Sequence, residues 1–318
     1  MIHISLYQSN LSQEWDAFCL KSKNATFLHH RGYMDYHSDR FSDFSLIARH
    51  ETGEIAAILP ACRHDDTVVS HSGLTYGGWL MPLKHFDAND MLQVMDAAMP
   101  FLGENCIKSL VYKPVPHIYH TYPAEEDIYA LFRHGARLEG CNISSVIPLD
   151  APLAFDRGNK SSTNAATRAG VKVNFCDCFD DIDKYWSILT ERLTERYDAL
   201  PVHSLDEICL LQSRFPKNIR LITAKICAEI VAGVVLFVTQ AVAHCQYIAS
   251  SATGRKTKAL PLLMAEAISW AKEQGLRYFD FGTSNENGGQ ILNHTLLEQK
   301  ARLGGRGVAY PIYKVAIR

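Results

Sequence analysis

The sequence lacks the long apolar runs and the short catalytic motifs that would assign it to a common class of protein. Its longest apolar run covers residues 230–238, whereas a membrane-spanning helix needs about 20 residues, so we expect no membrane span. Residues 1–10 contain no basic stretch followed by an apolar core, so we expect no secretion signal. The motifs G-x-S-x-G, H-E-x-x-H, G-x-G-x-x-G and the P-loop are absent, which argues against serine hydrolases, zinc proteases, ordinary dinucleotide enzymes and P-loop nucleotidases.

The nine cysteines also show no paired pattern. Cys176 and Cys178 are the only close pair, and residues two apart on a strand share a face, so they could be two metal ligands. No cluster of histidine or cysteine stands beside them in the sequence, and we therefore interpret the cysteines as buried thiols and expect no metal. Unpaired thiols are typical of the reducing cytoplasm and argue against a disulfide scaffold.

The charge is nearly balanced overall but differs between the two halves of the chain. Residues 1–150 hold 11 Lys/Arg and 18 Asp/Glu, and residues 151–318 hold 21 and 16. A basic second half could attract an anionic ligand, although random asymmetry explains it equally well. The charge is too weak and too dispersed for a protein dedicated to binding DNA.

The length predicts two domains, since 318 residues is roughly twice a typical domain of about 150 residues. Both halves mix helical and strand patterns, so we expect a mixed α/β fold. The turn-rich segment 148–158 is the predicted boundary, which gives an N-terminal domain over 1–150 and a C-terminal domain over 151–318.

The second half has the clearer pattern. Three strands are predicted before a polar loop, and the middle strand is apolar throughout, so it should be covered on both faces. An amphipathic helix and a further strand follow the loop, and Pro261 suits the first turn of that helix. The predicted elements are strands over Arg220–Ile226, Ile230–Thr239 and Val242–Ala249, the loop Ser250–Lys258, a helix from near Leu260, and a strand over Leu276–Phe281.

Seven stretches spread over nearly the whole chain carry a resemblance to a known family. They are residues 24–48, 71–80 (HSGLTYGGWL), 164–173, 201–221, 246–260 (QYIASSATGRKTKAL), 279–293 (FDFGTSNENGGQILN) and 299–308 (QKARLGGRGV). The chain resembles the GNAT acyltransferases, and specifically the Fem-like group with two GNAT-fold halves. The resemblance implies two tandem GNAT-like domains, each a mixed twisted sheet flanked by helices, with the acyl-donor site in the second.

The donor site is predicted at the polar loop. The amides at the start of the following helix, together with Arg255, Lys256 and Lys258, could hold a pyrophosphate; a solvated loop is the alternative. The resemblance implies acetyl-CoA or another acyl-CoA as co-substrate, and the family motif R/Q-x-x-G-x-G/A lacks its central glycine here. The predicted donor-binding residues are Gln246, Ile248, Gly254, Arg255, Lys256, Thr257, Lys258 and Ala259.

Four residues are candidates for catalysis, each with a structural alternative. Asp280, at the end of an apolar strand, could orient the amine or act as a base, or it could cap the following loop. Lys300 matches a lysine of the Fem-like helix motif and could stabilise an oxyanion, or it could be a solvated helix lysine. His203 could be a base but stands where a helix begins, and Tyr247 could protonate the leaving group but could equally be packed core.

The acceptor site is predicted in a cleft between the halves, because ligand sites favour domain interfaces. Arg31, Tyr33 and Tyr76 of the first half could line it. Tyr278 shares a strand face with Asp280 and is the fourth candidate for substrate binding.

Three functions remain open from the sequence. The resemblance implies acyl transfer from acyl-CoA to an amine, such as an amino sugar, a nucleotide-linked amino sugar or another cell-envelope precursor. Aminoacyl-tRNA could be the donor instead, but the region Asp181–Pro216 holds two ordinary helices and no long helical arm, which favours a small donor. The missing loop glycine keeps a third interpretation open, a degenerate GNAT pair that binds a ligand without turnover.

Overall fold

The computed structural model of the chain describes residues 1–176 and 179–317, without the side chains of Cys176 and Tyr197. The predicted pair of thiols at Cys176 and Cys178 therefore lies outside the described residues. The chain forms two compact units. The first comprises Met1–Asn142, Asn287–Gln290 and the C-terminal segment from Ala309, and the second comprises Ile143–Glu286 and Ile291–Val308.

Helices and strands alternate irregularly through the first unit. Their bounds are β1 Ile2–Leu6, α1 Ser12–Lys21, α2 Arg31–Met34, β2 Ser42–Asp43, β3 Leu46–His50, β4 Ile55–Leu59, β5 Cys62–His64, β6 Thr67–Val69, α3 Ala88–Glu104, β7 Ser109–Tyr112, α4 Glu126–Arg133 and β8 Arg137–Pro148. The last of these continues into the second unit.

Two sets of paired strands form the sheets of the first unit. β3 pairs antiparallel with both β1 and β4, and β6 pairs antiparallel with β5 and parallel with β7. Helix α3 covers its part of the core because its apolar residues recur at helical spacing and are buried, as at Met91, Val94, Met95, Ala98 and Leu102. Its N-terminus is fixed by Asp87, whose carboxylate accepts hydrogen bonds from the amides of Asn89 and Asp90.

The second unit carries the remaining elements. Their bounds are α5 Arg157–Arg168, β9 Val171–Cys176, α6 Ile182–Tyr197, α7 Leu205–Arg214, β10 Ile219–Ile226, β11 Glu229–Val238, β12 Val242–Ser250, α8 Ala252–Lys256, α9 Ala259–Glu273, β13 Tyr278–Thr283, β14 Asn285–Glu286, β15 Ile291–Leu292, α10 His294–Arg302 and β16 Arg306–Ala316. β16 continues into the first unit, where it pairs antiparallel with β7.

The sheet of the second unit runs in the order β8, β13, β12, β11, β10, β9, and only the β12–β13 pair among these described strands is parallel. The predicted middle strand is confirmed as β11, which is buried from Ile230 to Phe237. Helix α9 covers one face, because its apolar side chains such as Leu263 and Ala267 pack on β11 and β12. The chain is therefore a mixed α/β protein, as the sequence predicts.

The polar segment between β12 and α9 differs from its prediction as a loop. Residues 252–256 form the short helix α8, because the Ser251 hydroxyl accepts a hydrogen bond from the amide of Gly254 and begins a helical turn. The residue pattern also predicts a helix over 291–303. In the structure α10 begins later, at His294, since Ile291 and Leu292 pair with β14. Within the described residues, no helix has the length and apolar character needed to cross a membrane.

Candidate active site

The site is organised by the separation of two parallel strands. β12 and β13 are paired at Val242 with Tyr278, at Ala243 with Phe279 and at His244 with Asp280. Both strands continue beyond that last rung without further pairing between their described residues. A bulge in the β11–β12 register, opposite Gln246, also bends β12 at this point. The backbone groups of β12 that follow the bulge are therefore available to something other than β13.

A cavity of about 380 Å³ lies beside this separation, wholly within the second unit. Its apolar wall comes from both strands and from α6, α9 and α10, and includes Ile248, Phe281 and Met264. Its cationic side chains are Arg192, Arg196, Arg255, Lys258 and Lys300. Among the described residues that line it, none is acidic. The cavity therefore suits a ligand with an apolar arm and a strongly anionic head.

Helix α8 packs directly against the backbone of β11 and forms one wall of the cavity. The Val231 carbonyl accepts hydrogen bonds from the Ser251 amide at 2.9 Å and from the Ser251 hydroxyl at 3.2 Å. A Cβ on Gly254 would stand 2.0 Å from the same oxygen, so only glycine allows this approach.

The start of α9 also borders the cavity. Lys258 precedes the helix in the left-handed region, with φ of 57°, and no side chain caps the helix. Lys258, Leu260 and Pro261 line the cavity, so the positive end of the helix dipole lies at its wall. The start of α9 and two cationic side chains, Arg255 and Lys258, therefore all contribute to the wall of the cavity.

The predicted donor-binding residues divide into two groups in the structure. Ile248, Gly254, Arg255 and Lys258 line the cavity. Lys256, Thr257, Gln246 and Ala259 are not among the described lining residues. Lys256 is exposed, and Ala259, the first residue of α9, is buried in the core.

Asp280 is fully buried at the last position where β13 pairs with β12. Its Oδ1 accepts hydrogen bonds from the Ser144 hydroxyl and, at 2.8 Å, from the Gly282 amide. Its Oδ2 lies 2.9 Å from His244 Nδ1. These three contacts make the buried carboxylate of Asp280 the centre of a hydrogen-bond network.

Lys300 lies on the other side of Gly282. Its ammonium donates to the carbonyl oxygens of Gly282 at 2.8 Å and Thr283 at 2.7 Å, and the residue is 6% exposed. Burial lowers the pKa of Lys300 to about 8, and the Asp280 carboxylate opposes that shift. Lys300 is therefore a buried cation that holds the end of β13 and also lines the cavity.

Tyr247 and His203 form a separate buried pair. The Tyr247 hydroxyl oxygen and His203 Nδ1 lie 2.6 Å apart, and the His203 amide donates to the same oxygen at 3.1 Å. Burial raises the pKa of Tyr247, and its ring packs edge-on against Trp186. Neither residue is among the described residues that line the cavity.

The predicted acceptor residues of the first unit are buried there. Arg31 is 5% exposed, forms ion pairs with Asp35 and Asp43, and stacks over the Tyr7 ring at 3.8 Å. Tyr33 and Tyr76 are 4% and 3% exposed. Their contact with an acceptor stays a prediction, and the structure accounts for each of them by packing.

Tyr278 is part of β13 in the second unit. It pairs with Val242 of β12 and with Pro148 of β8, and the Arg277 guanidinium lies 5.8 Å from its ring centroid. It precedes Asp280 by two residues on the same strand face, as the sequence predicts, and its side chain is partly buried.

Comparison with protein families indicates the domain type of the second unit. Residues 158–287 match the family model for the acetyltransferase (GNAT) domain. The second half of the chain contains a GNAT domain. No curated protein matches the chain in sequence. The separated strands β12 and β13 and the cavity beside them lie within or next to the matched segment of the GNAT domain.

Solved structures extend the likeness over nearly the whole chain. FemX is 12% identical with a TM-score of 0.69, covering 98% of this chain and 96% of its own. L-PGS from Bacillus licheniformis is 12% identical with a TM-score of 0.63, covering 96% and 91%. A tandem GNAT protein from the clavulanic acid biosynthesis pathway is 13% identical with a TM-score of 0.53, covering 100% and 99%. At these identities the likeness concerns the fold, which is that of Fem-like and tandem GNAT proteins.

Proposed function

We propose that this protein is an N-acyltransferase that moves an acyl group from a thioester donor of the acyl-CoA type to an amine. The observation that carries the proposal is the cavity of the GNAT domain, which joins an apolar wall, five cationic side chains and no described acidic side chain beside two separated parallel strands. A pantetheine arm and an acyl group suit the apolar wall, and the phosphates of the donor suit the cationic side chains.

Arg255, Lys258 and the first turn of α9 are the proposed phosphate contacts. They all contribute to the wall of the cavity, where both the side-chain charges and the helix dipole favour an anion. Arg192 and Arg196 of α6 also line the cavity and add positive charge. The close packing of Gly254 against the Val231 carbonyl holds α8, which forms this wall, in position.

Backbone amides of Gln246–Ile248 are the proposed donors to the carbonyl oxygen that develops charge during transfer. They follow the bulge of β12, where pairing with β13 has ended. Preorganised amides of this kind stabilise an oxyanion because they need no reorientation during the reaction. Lys300, which lines the cavity as a buried cation, adds a favourable field for the same charge.

The acceptor is proposed to be a small amine, such as an amino sugar, free or nucleotide-linked, or another precursor of the cell envelope. Its contacts are proposed at Tyr278, with Asp280 in the proton-handling network, and Tyr247 and His203 remain proposals for leaving-group and base roles. We place the reaction in the cytoplasm, where unpaired thiols such as those of the described cysteines persist.

The first prediction is that replacing Arg255 and Lys258 together by alanine weakens coenzyme A binding about tenfold. Two exposed charge interactions contribute about 1–2 kcal/mol in total, which corresponds to about that factor in Kd. The effect should shrink at high salt, because exposed charges are screened beyond about 8 Å at physiological ionic strength. Calorimetric titration of coenzyme A at two salt concentrations measures both quantities.

The matched control is the double variant Lys217→Ala with Lys272→Ala, which removes the same charge from exposed positions outside the described cavity lining. It should bind coenzyme A within about twofold of the wild type. Equal weakening by both doubles would show that net charge alone acts, and the cavity assignment would be wrong.

Donor class is tested with the same wild-type protein. Coenzyme A binding followed by thiol release in the presence of an amine panel supports the proposal. Absence of coenzyme A binding with retention of aminoacyl-tRNA on a filter would favour the tRNA-dependent function instead. Coenzyme A binding without thiol release for any amine would favour a GNAT pair that binds without turnover.

A further inference from the structure

His244 occupies the last paired rung of β12 and β13, and the sequence pattern does not single it out. Its Nδ1 lies 2.9 Å from Oδ2 of Asp280, a carboxylate that is itself fully buried. The Asp280 carboxylate can only accept, so Nδ1 carries the proton of this hydrogen bond. Nε2 is then the accepting nitrogen of the neutral ring, as in other carboxylate-held histidines.

Two further hydrogen bonds fix the position of the Asp280 carboxylate. The Ser144 hydroxyl and the Gly282 amide both donate to its Oδ1, which leaves Oδ2 to His244. Gly282, with φ of 78°, allows the backbone to turn back onto the carboxylate. The ring of His244 therefore has one orientation relative to β13.

The position of His244 connects this pair to the cavity. A Cβ on Gly282 would lie 3.4 Å from His244 Cε1, and the Gly282 carbonyl accepts from Lys300, which lines the cavity. The His244 side chain keeps 14% of its surface exposed although its partner Asp280 has none. Nδ1 points at the buried carboxylate, so the exposed surface belongs to other atoms of the His244 side chain.

His244 also faces away from α9. Its strand neighbours Ala243 and Cys245 are part of the core that α9 covers, and successive residues of a strand point to opposite faces. The ring therefore lies on the sheet face opposite α9, immediately before the strands separate. An amine that approaches the thioester from that face would lie next to the His244 ring.

We propose that His244 is the proton acceptor of the acyl transfer and that Asp280 is its positioning residue; this inference rests on the proposed function. The amine nitrogen forms the new bond to the acyl carbon, and the bond from that carbon to sulfur breaks. The proton lost by the amine passes to His244 Nε2, which takes the base role otherwise proposed for His203. The ring then returns the proton to the departing thiolate, the role otherwise proposed for Tyr247. No oxidant or reductant is needed.

Among the described residues, Lys300, Cys245 and His203 are titratable groups near this pair. Lys300 and Cys245 both interact electrostatically with Asp280. Burial lowers the pKa of Lys300 to about 8 and raises the pKa of Cys245 well above its usual range. On the same sheet face, β11 presents Phe237 opposite His244, and His203 packs near that ring. Loss of the Lys300 proton, at a pKa of about 8, therefore affects the alkaline side of a pH profile.

The second prediction concerns His244→Ala, which should lower kcat/KM at least about a hundredfold, the usual effect of removing a general base. Added imidazole should restore part of kcat, since the substitution leaves space beside Gly282. His294→Ala, which removes an exposed histidine from the same unit, should keep wild-type activity.

Coenzyme A binding separates this proposal from the proposed function. His244→Ala should bind coenzyme A as the wild type does, because His244 does not line the cavity. Normal binding with kcat/KM within threefold of the wild type at every pH would overturn the role of His244 alone. Absence of coenzyme A binding in the wild type would instead overturn the proposed function.

A measurement independent of turnover tests the same pair. In protein labelled with ¹⁵N-histidine, with His244→Gln used for assignment, the neutral ring should carry its proton on Nδ1. Asp280→Asn should shift the ring toward the Nε2-protonated form and lower kcat more than it raises KM. An Nε2-protonated ring in the wild type would overturn the proposal.

Discussion

Replacing Asp127 by asparagine should remove a pH dependence of about 1.4 kcal/mol per pH unit from the free energy of unfolding. The Asp127 carboxyl is buried, and burial raises its pKa to about 7, while the hydrogen bond from the Tyr112 hydroxyl at 2.6 Å opposes the shift. The folded state thus holds a proton that the unfolded chain has lost. Its contribution to stability is complete below the unfolded pKa near 3.8 and is lost as the pH rises through about 7.

The measurement is urea unfolding of both proteins between pH 5 and pH 8. The stability of Asp127→Asn relative to the wild type should rise by about 3 kcal/mol across that range. Buried histidines of the same unit act in the opposite direction, since burial lowers the pKa of His29 and His71 to about 3 and of His120 to about 4. They are present in both proteins and cancel in the difference.

The control is Asp39→Asn, whose carboxylate is 78% exposed. Its stability relative to the wild type should be nearly constant over the same pH range. A constant difference for Asp127→Asn as well would mean that this buried carboxyl is ionised throughout the range.

Replacing Gly254 by alanine should destabilise the GNAT domain by about 2 kcal/mol and abolish tight coenzyme A binding. The added Cβ would stand 2.0 Å from the Val231 carbonyl oxygen, so α8 has to move away from β11. That movement costs about 1–3 kcal/mol as overpacking and breaks the hydrogen bonds of Ser251 to Val231. The gain in helix propensity from alanine, about 1 kcal/mol, offsets only part of this.

Gly158→Ala is the matched control, since it makes the same substitution in the first turn of α5 in the same unit. There the new Cβ would be 3.5 Å from its nearest neighbour, Asp156 Oδ1, which is an ordinary contact. Thermal unfolding should show a loss of Tm for Gly254→Ala and no loss for Gly158→Ala. Equal Tm values for the two variants would show that α8 is not held by this close approach.

Residue patterns predict one member of the Asp280–His244 pair and not the other. Asp280 was predicted because it ends an apolar strand before a glycine-rich loop, a local feature. His244 has no such signal, because a histidine in an alternating strand looks like any half-buried residue. Its relation to Asp280 depends on which strands pair and in which register, across 36 residues of sequence.

The polar segment 250–258 shows a second feature that the sequence pattern does not predict, its local secondary structure. Its composition, rich in serine, threonine, glycine and lysine, is typical of loops, and so a loop was predicted. In the structure one serine caps a helical turn whose glycine fits against Val231. The tertiary contact with β11 stabilises a short helix that the local sequence alone does not favour.

By itself, the sequence determined the mixed α/β class, the buried strand β11 and its two neighbours, and the position of a cationic segment ahead of α9. These follow from short-range patterns, since hydrophobic periodicity and helix-terminal residues act within a few positions. The tertiary structure alone decided the separation of β12 from β13, the cavity beside it and the network of Ser144, Asp280 and His244. Ser144 and Asp280 are 136 residues apart, and contacts at that separation depend on strand register and packing, which no local pattern encodes.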